Sequence, residues 1–185
     1  MIAAIIQSKL EEGYRCLYLN SAPMVSGIRS TLSAMGVDIA SEIAKGSVVL
    51  SSEPVTTGGK FDAGIMIEQL EDSINQAVND GYKGLWASGD MTWEFGPEQD
   101  FSNLIQYELQ LEEMFNRRSE LCGICQYHKD TLPDDVMRQA LLLHPGIVIN
   151  ETLSRVNPHH LKFTSPSGQN TNRSLDEAIR LLCRV

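Results

Sequence analysis

Two hydrophobic periods take turns along this chain, and their alternation limits its fold more than any other feature. Ile2, Ile5, Ile6 and Leu10 recur at helical spacing within residues 1–12, Lys9, Glu11 and Glu12 cover the other side, and Gly13 follows as a stop. Residues 14–19 then form a short, nearly continuous apolar run, the pattern of a strand covered on both faces. The pattern repeats. Ser21 is placed to cap a helix with Pro23 near its start and Val25, Ile28, Leu32 and Met35 as its stripe up to Gly36; a shorter helix spans residues 38–45, and residues 47–50 are the next strand. A polar loop runs through Gly58 and Gly59 to Asp62, which opens a long amphipathic helix closed by Gly81. Residues 83–88 read as a strand that runs into a loop holding Asp90, Trp93 and Glu94, and a helix resumes after Pro97 with Leu104, Leu111 and Met114 on its stripe. A strand over 120–127, a helix over 133–143 ended by His144-Pro145, and a strand over 146–150 follow. Residues 157–172 are a turn-rich connector, and the capping-box spacing of Ser174 and Glu177 opens a last helix to Arg184.

Strands alternating with helices imply right-handed crossovers, hence an α/β fold of three layers with a mainly parallel central sheet and helices on both faces. At roughly 150 residues per domain, 185 residues make one domain with a short appendage. Ligands of such sheets gather where the strands end at their carboxyl edge. Those strand ends are Asn20 and Ser21, then Ser51, Ser52 and Glu53, then Asp90, Trp93 and Glu94, then Gln126, Tyr127 and His128, and finally Asn150. If all run the same way, they converge. Carboxylates, amides and aromatic rings together suit recognition of a small polar or amphipathic molecule, and Trp93 offers an aromatic face as a pocket wall or, equally, as a plug beneath its loop. The binding set expected is Asn20, Asp90, Trp93, Glu94, Gln126 and Tyr127.

Other chemistry is poorly served. A net charge of −9 opposes wrapping nucleic acid or lying on an anionic membrane. The apolar start, residues 1–6, is far below the roughly 18 residues of a membrane span and lacks the basic lead of a signal peptide, so a cytoplasmic protein is expected. Cys122-Gly123-Ile124-Cys125 matches a CxxC pattern, but inside a strand residues three apart point to opposite faces, which denies the two sulfurs a shared bond or metal. Adjacent His159 and His160 cannot share one face of a regular element, and His144 suits a helix C-terminus. The stretch from Thr56 to Phe61 resembles the tail of a phosphate loop but puts Pro54 where glycine is needed and Phe61 where a hydroxyl is needed. Asp90 and Glu94 as acid and base have a simpler role in capping the next helix. No catalytic residue, metal or cofactor is expected.

Several strings in order, namely residues 14–19, Gly58 to Asp62, Gly89-Asp90-Met91-Thr92-Trp93, Tyr107-Glu108, Leu121 to Tyr127 and His144-Pro145, resemble the methanogen/methylotroph sensory domain, MEDS, over residues 1–160. Residues 161–185 then form the polar connector and last helix. The resemblance implies a RecA-like α/β core without working nucleotide hydrolysis, here starting at the first helix with the initial strand of such a core missing. It implies a small-molecule sensor, of hydrocarbon derivatives or methylated compounds, whose output passes through a signalling partner protein or a homo-oligomer. A residual nucleotide-binding ATPase using Asp90 beside magnesium, or an oligomerising scaffold without ligand, are the alternatives.

Overall fold

The computed structural model describes residues 1–57, 60–94, 101–150 and 153–156. The expected connector and last helix, with His159, His160 and Cys183, lie outside the described residues, as does the Gly58-Gly59 turn. The chain divides into two units, Met1–Tyr127 and His128–Val185.

In the first unit α1 (Ile2–Glu11) leads into β1 (Arg15–Leu19), followed by α2 (Ala22–Ala34), α3 (Ile39–Ala44) and β2 (Val48–Ser51). After them come β3 (Thr56–Thr57), β4 (Lys60–Phe61), α4 (Ala63–Asn79), β5 (Leu85–Asp90), the single turn α5 (Met91–Glu94), α6 (Leu104–Arg117) and β6 (Leu121–Gln126). Four strands pair in parallel in the order β2-β1-β5-β6. Helices cover both faces. On one, Cys16, Tyr18, Val48 and Trp86 pack with Ala3 and Ile6 of α1, Leu32 of α2 and Ile39 of α3. The other face belongs to α4 and α6, which run along β5 and β6 with Met66, Leu70, Ile74 and Ala77, and Leu104, Tyr107, Leu111 and Met114, as their buried stripes. This is the expected three-layer α/β architecture.

Local chemistry fixes the joints. Asp62 caps α4, accepting from the Ile65 amide at 3.0 Å and from the Thr57 hydroxyl at 2.9 Å. At the other end of that helix Gly81 takes φ 87°, the left-handed value that a side chain resists. The start of β1 is tied down by Arg15, which donates to Asp80 at 2.6 Å and lies over the Tyr82 ring. Two expected loops carry structure. Within the loop before Asp62, β3 and β4 pair as a short antiparallel hairpin, anchored by Phe61 edge-on against Tyr107 at 5.1 Å. In the loop after β5, α5 forms because Asp90 Oδ1 accepts from the Thr92 amide at 2.9 Å.

The second unit holds α7 (Asp134–Leu143), β7 (Gly146–Asn150) and β8 (Leu153–Val156). As expected, His144 ends α7, its Nδ1 2.8 Å from the Ala140 carbonyl oxygen. The expectation for Asn150 fails: β7 pairs antiparallel with β8 in a sheet of its own, so Asn150 ends no strand of the parallel sheet. The physical reason is a short return strand, Leu153–Val156, that turns residues 146–150 into half of a hairpin.

Gly123 sets the spacing of β5 and β6, since a Cβ there would meet the Ala87 carbonyl oxygen at 2.3 Å. Gly123→Ala should therefore lower the free energy of unfolding by about 2 kcal/mol. Urea denaturation checks it through the midpoint at constant slope; an unmoved midpoint would contradict the close approach.

Candidate functional site

The site follows from strand alternation. Residues two apart share a face, so Cys16 and Tyr18 of β1, Trp86, Ser88 and Asp90 of β5, and Cys122, Ile124 and Gln126 of β6 line one side of the sheet. The register sets them in rungs: Cys16, Trp86 and Cys122 abreast, then Tyr18, Ser88 and Ile124, then Asp90 beside Gln126. Asn20 continues β1 past its last residue, with its amide donating to the Ser51 carbonyl oxygen at 3.1 Å. Along the strands this face therefore changes from apolar to polar toward the carboxyl edge.

The polar rungs are closed on themselves. Tyr18 and Asn20 are 1% exposed, Ser88 2% and Asp90 4%. Asn20 Nδ2 donates to the Tyr18 hydroxyl at 3.0 Å, Gln126 Nε2 donates to Ser88 Oγ at 2.9 Å, and Ser88 Oγ donates to the Ile124 carbonyl oxygen at 2.9 Å. The Tyr18 hydroxyl also meets the Gln126 side chain, which joins the two halves. Burial pushes the Tyr18 phenol above its ordinary range, and the nearby Asp90 charge adds to that rise. The place is also where the chain changes direction. From β1 it crosses to β2 on one side, and from β5 to β6 on the other, so Asn20 and Asp90 flank the switch point at which open parallel sheets bind ligands.

Of the expected residues, Asn20, Asp90 and Gln126 come together in this way. Trp93 and Glu94 lie in α5, directly after Asp90 at the same strand end; their side chains are outside the described residues. Tyr127 belongs to the opposite side: its hydroxyl donates to Glu108 of α6, a carboxylate 4% exposed that also lies 4.0 Å from Cys125 Sγ. Strand ends read as one collection are thus sorted by face.

Tyr18 and Ser88 were missed from the sequence set. Counting back two residues from Asn20 and from Asp90 finds both, because that is the strand period. Glu108 carries its own signal, since it stands four residues after Leu104 on the buried stripe of a helix, where a carboxylate needs partners.

The thiols offer little reactivity. Burial pushes Cys16 up to about 12 and raises Cys122 as well, which keeps both protonated near neutrality. Cys122 packs against the core under α1 while Cys125 faces Glu108, so the CxxC sulfurs do leave opposite faces of β6. Both are free.

The family model described as MEDS, the MEthanogen/methylotroph, DcmR Sensory domain, matches residues 1–145. A curated relative, the transcriptional repressor DcmR of Methylorubrum extorquens, is 23% identical over 140 residues, 76% of this chain and 51% of that protein. The chain thus spans about half the length of the curated relative it matches.

Tyr18→Phe removes the acceptor for Asn20 and should cost about 1–3 kcal/mol of stability. It should also flatten the alkaline limb. With the phenol raised in the native state from its ordinary 10.0, the folded protein keeps a proton that the unfolded chain releases, so stability falls as pH climbs past 10. Denaturant midpoints from pH 7 to 11 check both effects; a parallel pH profile in the two proteins would contradict the assigned burial.

Proposed function

Because the chain belongs to the MEDS family of sensory domains, we propose that it is a non-enzymatic sensor holding a small organic molecule at the carboxyl edge of β1, β5 and β6. Asn20, Asp90 and Gln126 supply the polar contacts in this reading. Trp93 and Glu94, one turn beyond Asp90, add an aromatic wall and a second carboxylate, and Tyr127 borders the site from the α6 side. The single observation that carries it is that Asp90 stands beside Gln126 at the end of β5 and β6, at the switch point, while Asn20 just past β1 bonds to Tyr18 and Gln126 to Ser88. Asn20, Ser88 and Asp90 are buried there, and near them the described residues set no nucleophile beside a base. Hydrocarbon derivatives or methylated compounds are the ligand class that the family suggests.

Signalling follows from differential affinity. A ligand that fits one arrangement of the strand-end loops better than another shifts the population toward it, by no more than that difference. The helices that leave those loops, α2 and α6, carry the shift to a signalling partner protein, an attached module or a second copy of the chain. The transcriptional repressor among its relatives has about twice the matched length, which supports output through a segment outside the sensory domain. A net charge of −9 argues against direct contact with nucleic acid by this domain.

A residual nucleotide site is the second reading, favoured by one feature: Asp90 is a carboxylate at the end of a buried parallel strand, where magnesium ligands of nucleotide-binding sheets stand. Calorimetry against a panel of small organic compounds should find a binder that Trp93→Ala weakens at least tenfold, about 1.4 kcal/mol. Tight, magnesium-dependent binding of a fluorescent ATP would instead favour the nucleotide site, and binding indifferent to Trp93→Ala would remove that residue from the pocket.

A further inference from the structure

Little within the fold holds α2 in place. Its sequence, APMVSGIRSTLSA, is rich in Ser, Thr and Gly, the Ser21 side chain makes no cap bond, and neither end carries a charge that suits the helix dipole. Leu32 is its one buried residue, with Val25 and Ile28 half-buried beside it. A helix of this length depends on packing, and here the packed side is narrow. Gly27 adds to the deficit, since glycine in mid-helix costs about 1 kcal/mol against alanine. Yet a Cβ at Gly27 would meet no neighbouring element within 4 Å. Nothing among the described residues asks for a glycine there.

On the helical period Met24, Gly27, Thr31 and Met35 fall on one stripe, with Ala34 at its border, roughly a third of a turn round from Leu32. All five are exposed, Met24 by 45% and Met35 by 37%. Thr31 Oγ1 donates to the Gly27 carbonyl oxygen at 2.9 Å, and Ser30 Oγ to that of Ser26 at 3.0 Å. Hydroxyls on and beside the stripe are thus paired within the helix and can leave water at little cost. The order of side chains is large, small, small, large, which reads the same in both directions. Laid antiparallel on its own copy, Met24 meets Met35 of the other chain and Gly27 meets Thr31, so one two-fold axis satisfies both. Gly27 then marks where the helix axes come closest. Charge selects the same occupant. Two chains of net −9 repel each other least where acids are missing, and residues 13–37 hold no Asp or Glu. An acidic partner or an anionic membrane would want a basic face, and the stripe holds no Lys or Arg.

We propose that the outer stripe of α2 is a dimerisation surface, on which a second copy of this chain packs antiparallel about a two-fold axis near Gly27 and Thr31. This contact does not depend on what the strand ends bind. One crossing of two helices is at the small end of specific interfaces, so the dimer is weak and reversible.

Sedimentation of the full chain from about 10 μM to about 1 mM should show a monomer passing into a dimer. Gly27→Glu should weaken that dimer at least tenfold, while Ser33→Glu, the same charge on the far side of α2, should leave it unchanged. Because glutamate favours a helix more than glycine does, Gly27→Glu should melt no lower than the wild type in dilute solution, which separates a lost interface from a lost fold. Mixing Met24→Cys with Met35→Cys under mild oxidation should give disulfide dimers several times faster than either variant alone or the wild type. A chain that stays monomeric throughout would hand the stripe to a different protein and overturn the proposal. A dimer indifferent to Gly27→Glu, or weakened as much by Ser33→Glu, would overturn it too. Met24→Cys joining to itself faster than to Met35→Cys would overturn the antiparallel arrangement.

Discussion

Parallel pairing of β1, β5 and β6 in one fixed register is the constraint on which the rest of the structure depends. It sets Tyr18 beside Ser88 and Ile124, and Asp90 beside Gln126, at the end of the sheet where the chain switches direction. Slipping any of these strands by one residue would turn its whole pattern over, sending Trp86 or Cys16 outward and the polar side chains into the wrong layer. Each hydrogen bond among Asn20, Tyr18, Gln126 and Ser88 contributes only about 1 kcal/mol net, whereas a buried partner left unmatched costs about 1–3 kcal/mol. The network therefore acts less as glue than as a penalty on every other register. Gly123 serves the same end by letting β6 lie against β5 at a distance that a side chain forbids.

Much of this was legible in the residues. Helical stripes such as Ile65 to Val78 and apolar runs such as Tyr14 to Leu19 have unlike periods, and their alternation alone implies layers and a parallel sheet. Asn20, Asp90 and Gln126 were found because a parallel sheet must bring its strand ends to one edge. What escaped was whatever depends on which face a residue takes. Tyr127 follows Gln126 directly, and strand alternation therefore sends its hydroxyl to Glu108 rather than to Asn20. Tyr18 reads as one more apolar residue of a buried strand until its hydroxyl is seen to accept from Asn20. The two hairpins escaped for a different reason: Thr56–Thr57 with Lys60–Phe61, and Leu153–Val156, are too short and too polar for periodicity to register. Asn150 was misplaced as a consequence of the second.

Consecutive residues at the end of β6 serve opposite layers, and this matters for how a sensory domain of this fold transmits. Gln126 holds the rung that reaches Tyr18 and, through Asn20, the cap of α2; Tyr127, one peptide further, holds Glu108 in the buried stripe of α6. A helix of one layer is thus bonded directly to Tyr127, while the cap of a helix of the other layer is reached from Gln126 through Tyr18 and Asn20. A rotation of that peptide cannot serve both partners in its new position, because Ser88 and Glu108 are each buried and each would lose a hydrogen bond there. Contiguity of this kind makes a route, and it becomes a switch only where the end of β6 has two arrangements that a ligand distinguishes. On the proposed reading, a ligand that competes for Gln126 would supply that distinction, by replacing the bond to Ser88 on one face while Tyr127 stays tied to Glu108.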